Sequence, residues 1–149
     1  MNESITAPTV AEHRSIHAEA LGAGLVVLAG FNIALAIFMA VAPHAFYTAI
    51  GPFGPFNDHY VRDVATFQAA IGIALLVAVR RPAWRVPVLG LTAIQFALHS
   101  VNHLLDIAKA HPAWTGYFDF ISLAATTGVL AWLLTLALEQ ARTQERARR

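Results

Sequence analysis

The stretch Ala20–Ala42, ALGAGLVVLAGFNIALAIFMAVA, decides the fold. It contains no Asp, Glu, Lys or Arg, and none follows until after Asn57. A helix needs about 20 mainly apolar residues to cross a bilayer, and this run supplies them. In hydrocarbon a backbone must satisfy its own hydrogen bonds, so such a run reads as helix. Three more runs repeat the signal, at about Tyr60 to Val79, Val86 to Leu105 and Phe120 to Leu138. Only the second carries charge, Arg62 and Asp63, at its start. The fold expected is all-α: a polytopic membrane protein whose four transmembrane helices form one antiparallel bundle over residues 20–138.

The composition agrees. Of 149 residues, 57% are hydrophobic and 13% charged, and mean hydropathy is +0.56. An ordinary soluble domain is about 25% charged, and a disordered chain is more polar still. A net charge of +1 gives no overall basic field, so nucleic acid is not an expected partner. The absence of cysteine removes disulfides, thiolate metal ligands and a cysteine nucleophile. No Walker A loop, dinucleotide fingerprint or nucleophile elbow is present.

The connections are marked by proline and glycine. Pro43 ends the first span, and Gly51-Pro52-Phe53-Gly54-Pro55 forms an irregular loop. Pro82 and Pro87 bracket the second turn, whose shortness makes spans two and three antiparallel neighbours. His111-Pro112 and Gly116 punctuate the third connection. Residues 1–19 read as a polar tail that includes an interfacial helix over Val10–Glu19, and residues 139–149 as a basic extension of the last helix. Gly22, Gly24, Gly30, Gly72, Gly90 and Gly128 suit close helix contact. Gln68 suits a hydrogen bond to a neighbouring helix.

Positive charge orients the bundle. Arg14, Arg80, Arg81, Arg85, Arg142, Arg146, Arg148 and Arg149 fall on one side, against Arg62 and Lys109 on the other. Both termini are therefore expected in the cytoplasm of a bacterial cell, with the first and third connections outside its inner membrane. Ala40-Val41-Ala42 resembles a signal-peptide cleavage site, but the apolar run is too long and its leader too acidic, so an uncleaved helix is expected.

The few polar residues are aligned. At 100° per residue, Gln95, His99, Asn102, His103 and Asp106 share one stripe of the third span. His59, Arg62, Asp63 and Thr66 share one on the second. Asp119, Ser122 and Thr126 form a weaker stripe on the fourth, and Asn32 is the only comparable residue of the first. Polar groups are costly in hydrocarbon, so these stripes are expected to face one another around a cavity open to the outside. His13 and His17 are expected to be solvated, and His44 and His111 to lie at the surface. Trp84 and Trp114 suit the interfacial belts.

Three uses of that cavity compete, and a metal or haem site serving redox chemistry with a partner is the first expectation. His99, His103, His59 and Asp63 could hold zinc, copper or iron, because each pair is one helical turn apart; haem would take His99 and His59 from facing helices. A metalloprotease is disfavoured, since no Glu follows His99. Without metal, Gln95, Asn102, Arg62, Asp106, Asp119 and Tyr60 could hold a quinone, lipid headgroup or other amphiphile, with Phe53, Phe56, Trp114, Tyr117 and Phe118 packing its ring. Lastly, the stripe could simply fasten helices or a partner protein, with Arg62 paired to Asp63 or Asp106.

The four spans, the longer first outer loop, and a second span opening with Arg62-Asp63 and running on through Phe67-Gln68-Ala69-Ala70-Ile71-Gly72 resemble the DoxX-like group of small bacterial membrane proteins. That resemblance implies a four-helix membrane fold and, for some members, a place beside a quinone-linked oxidoreductase as a redox partner. It assigns no functional residue, and the segment Leu98-His99-Ser100-Val101-Asn102-His103-Leu104-Leu105-Asp106 stands outside it.

Overall fold

The computed structural model describes residues 10–149, with side chains from Ser15 onward. The first nine residues of the expected tail lie outside the described ones. Five helices follow in order: α1 (Val10–Val41), α2 (Pro43–Ala49), α3 (Asp58–Arg80), α4 (Pro82–Leu105) and α5 (Ala113–Arg148). Among the described residues there is no strand. The helix expected over Val10–Glu19 is present, and it is continuous with the first span.

Proline sets the joints. α1 stops at Val41 because Pro43 holds Ala42 out of the helical region, at φ −132° and ψ 60°. Pro43 then starts α2, where a missing N–H costs nothing. Asn57 caps α3, its side chain accepting from the backbone N–H of His59 at 3.0 Å and of Tyr60 at 3.3 Å. Pro82 forces Arg81 into an extended conformation, and this single residue joins α3 to α4. The second turn is thus shorter than expected, and Pro87 lies inside α4 rather than bounding it.

α1, α3, α4 and α5 are each long and apolar enough to cross a membrane. α1 packs most extensively on α3, and α4 on α5; α3–α4 and α1–α5 contacts close the ring, while α1–α4 and α3–α5 make none among the described residues. Cross-contacts show the antiparallel sense. His17 lies 3.7 Å from Glu139 at the end that holds both termini, the terminal end; Ser100 meets Thr127 at 3.4 Å, towards the distal end. His17 is therefore partnered, which the sequence reading did not foresee.

The core is uneven. Leu21, Leu25, Leu75, Leu89, Leu130 and Leu133 are fully buried and fill the terminal half. Outward faces are apolar: Val27, Phe67 and Leu91 are each 69% exposed. A water-soluble helix turns its apolar face to the core; here only 22–33% of each span is buried, and lipid must cover the rest. α3, with 23 residues, is about 35 Å long, enough for a hydrocarbon core of about 30 Å. The chain is a multi-pass membrane protein.

Candidate functional site

The polar groups gather in the distal half. α4 presents Val88, Leu89, Thr92, Phe96 and Ser100 to the bundle interior. His99 and His103 sit beside that stripe and are half-buried. One helical turn apart, their Nε2 atoms approach to 2.9 Å, and their rings are nearly parallel at 14°. One imidazole donates its Nε2–H and the other accepts. Nδ1 of His103 is buried and has no partner. One turn deeper than His99, Oε1 of Gln95 is likewise buried and unpartnered.

The segment after α2 brings one aromatic ring, Phe53, against His103. The Tyr47 hydroxyl donates to the Gly54 carbonyl at 2.5 Å, closing the loop after α2. Gly54 adopts φ +64°, a conformation that favours glycine. Phe56 packs edge-on against His44, and Phe53 against His103, with centroids 5.1 and 4.9 Å apart. Between α2 and the α4–α5 connection lies an open depression of about 520 Å³, lined in part by Tyr47, Pro52 and Lys109. At its rim Lys109 holds Asp106 at 2.7 Å.

The deep end is closed. The Thr92 hydroxyl donates to Val88 O at 2.8 Å, and beyond it Leu89 is fully buried. The polar file along α4 therefore ends in apolar packing towards the terminal end. Asn32 of α1 and Gln68 of α3 add two buried carboxamides, each with an oxygen left unpartnered. Gln68 does face a neighbouring helix, as expected of it, but that oxygen finds no donor there.

The second-span stripe takes a different position from the expected one. Ala65, Gln68, Gly72 and Leu75 face inward, and His59, Tyr60, Arg62, Asp63 and Thr66 are exposed on the outward face. His59 Nε2 reaches Asp63 Oδ2 at 3.4 Å within α3. Arg62 pairs with Asp58 at 2.8 Å, not with Asp63 or Asp106. Among the described residues no three His, Asp or Glu side chains form a metal-binding group, so the two pairs His99–His103 and His59–Asp63 are not brought into one set. Asn102, at the edge of its stripe, is exposed. Asp119 is buried at 8% exposure with Oδ2 unpartnered, while Ser122 and Thr126 return their hydroxyl protons to helix carbonyls. Of the expected aromatic residues, Phe53 reaches the His103 imidazole; Phe56, Tyr60, Trp114, Tyr117 and Phe118 are exposed. His44 and His111 are at the surface, as expected.

The glycines were only partly legible. Gly72 and Gly24 do meet neighbouring helices, but Gly22, Gly30, Gly90 and Gly128 have open space where a Cβ would go. The tightest approach is at Gly116, expected only to mark a loop: a Cβ there would lie 2.1 Å from Ile107 O.

Fold and site together define a four-helix multi-pass membrane protein with a proton-sharing imidazole pair in the distal half of its bundle. No protein-family model, curated protein or solved structure matches the chain.

Proposed function

We propose that the chain binds the polar head of a lipid-soluble, ring-bearing molecule of the quinone class at the His99–His103 pair. The carrying observation is the unpartnered, buried Nδ1 of His103 beside the 2.9 Å imidazole contact. An unsatisfied buried polar atom costs about 1–3 kcal/mol, which a ligand hydroxyl or carbonyl would offset. The tautomer of His103 decides what Nδ1 offers: when its Nε2 accepts from His99, Nδ1 carries the proton and donates, and when its Nε2 donates, Nδ1 accepts. Gln95 offers a second contact one turn deeper, and Phe53 an aromatic edge. Leu89 is buried beyond the polar file, so the terminal end of α4 offers the ligand no polar group.

A second reading rests on the same contact. Two imidazole nitrogens 2.9 Å apart are near the spacing that two ligands take on one zinc or copper ion, with metal–nitrogen bonds of about 2.0–2.1 Å. His99 and His103 would be two of its ligands, the others coming from a bound molecule or a partner. Haem between His99 and His59 is not favoured, because His59 lies on the outward face of α3.

The clustering of Arg80, Arg81, Arg85 and the C-terminal arginines at the terminal end supports a cytoplasmic position for both termini in a bacterial inner membrane. Membership of the DoxX-like group would fit a non-catalytic role beside a redox partner protein.

The test is extraction of the purified protein, prepared without chelator, followed by mass spectrometry of its lipids, metal analysis and an absorbance spectrum. A co-purified quinone, lost in His103→Phe, is the expected result. Stoichiometric metal lost in the same variant would favour the second reading. Retention of the same lipid content by His99→Ala with His103→Ala would sink the quinone reading.

A further inference from the structure

Of the aspartates, Asp58 pairs with Arg62, Asp63 with His59 and Asp106 with Lys109. Asp119 differs from them: it is buried, and its Oδ2 has no partner. His103 Nδ1 is in the same condition. The packing of α4 on α5 brings these two groups to one level. Gly116 of α5 presses on the carbonyl of Ile107, just after α4. From that contact both helices lead towards the terminal end, three residues along α5 to Asp119 and four back along the chain to His103. Those steps are about 4.5 and 6 Å. At 100° per residue, His103 falls within about 20° of Thr92 and Phe96, and Asp119 within about 20° of Leu130. Thr92, Phe96 and Leu130 are all buried, so both groups turn into the bundle. They flank the same contact from its inner side, yet neither is hydrogen-bonded to the other.

We propose that Asp119 is a further anchor of the ligand, and that the group held between Asp119 Oδ2 and His103 Nδ1 is a ring hydroxyl. The site thus takes the reduced, hydroxyl-bearing form of the molecule. This inference rests on the ligand reading given above. A hydroxyl both donates and accepts. It donates to Asp119 Oδ2 and accepts from His103 Nδ1, in the tautomer whose Nε2 accepts from His99. A quinone carbonyl only accepts, and an ionised carboxylate offers it no proton. A ligand without the hydroxyl would leave the buried carboxylate unpaired, and sites of that kind discriminate strongly against such analogues. No step of electron transfer is implied, only a preference in binding.

The probes are a decyl-substituted hydroquinone, the matching quinone and the dimethyl ether of the hydroquinone. Their affinities for the full chain in lipid nanodiscs are measured by equilibrium dialysis under argon. The hydroquinone is expected to bind about tenfold or more tightly than either of the others. Asp119→Leu should abolish that preference while leaving the affinity for the dimethyl ether unchanged, a discrimination that a role in folding alone would not alter. Asp119→Asn keeps the shape of the side chain and serves where the leucine variant does not fold; it should reduce the preference by about threefold or more. Equal binding of hydroquinone and dimethyl ether, tighter binding of the quinone, or an unchanged preference in Asp119→Asn would each overturn the proposal. Failure of all three compounds to bind the unaltered chain would overturn the ligand reading itself, and this inference with it.

Discussion

Arg85 Nη1 donates to Gln140 Oε1 at 2.6 Å, binding the start of α4 to the end of the apolar part of α5 across 55 residues of chain. The same guanidinium donates from Nε to Ala78 O at 3.2 Å and from Nη2 to Val79 O at 3.1 Å, in the last turn of α3. One side chain thus serves two unsatisfied carbonyls of a helix end and ties three helices together. Arg85→Ala should destabilise the bundle by about 2 kcal/mol, the scale of hydrogen bonds to a charged group. Arg85→Lys should recover only part of that, because an ammonium lacks the planar fork. Unfolding in mixed detergent checks both.

Gly116 tests the packing of α5 against the chain that precedes it. With Ile107 O only 2.1 Å from where a Cβ would sit, Gly116→Ala must push backbone from backbone. A loss of about 1–3 kcal/mol is expected, as for overpacking elsewhere. Gly128→Ala, on the same helix with open space around it, should instead gain about 0.5–1 kcal/mol from helix propensity. Opposite shifts in the thermal midpoint would separate contact from propensity.

Asn32 is fully buried; its Nδ2 donates to Leu28 O at 2.8 Å and its Oδ1 has no partner. Replacing a half-satisfied amide by an apolar side chain of similar size removes a desolvation penalty. Asn32→Leu should therefore leave stability unchanged or raise it by up to about 1 kcal/mol. A large loss of stability would show that Asn32 bonds across the bundle, and calorimetry of the purified protein distinguishes the two.

The imidazole pair should matter more to ligand content than to folding. Interhelical and intramembrane hydrogen bonds average about 0.6 kcal/mol, and the His99–His103 contact lies within one helix. His99→Ala and His103→Ala should each cost less than about 1.5 kcal/mol, and the double variant little more than either. In the intact protein, ¹⁵N spectra should show coupled imidazole signals that separate when either partner is removed.

The four spans were legible in the sequence because crossing a bilayer is a local property: a run of about 20 residues without charge is apolar wherever its neighbours lie. The proline joints at Pro43 and Pro82 were equally local, since a ring on nitrogen restricts the residue before it. His99 and His103 could be paired from their spacing alone, because the turn of a helix puts them side by side. Which face of α3 points inward could not be read this way. The cost of charge in lipid argued that His59 and Asp63 face the bundle, yet packing chose the opposite face. Gly72 lets α1 approach so closely that a Cβ would lie 3.2 Å from Ala29 O, and Ala65 and Ala78 continue that small surface. Lipid is as apolar as leucine, so helices in a membrane are held by close packing rather than by hiding apolar area. The sequence by itself therefore determined the four spans and the joints at Pro43 and Pro82, while the short helix α2 and the earlier starts of α4 and α5 were not read from it. Only the tertiary structure decided the rotation of the spans, because that depends on how two surfaces fit.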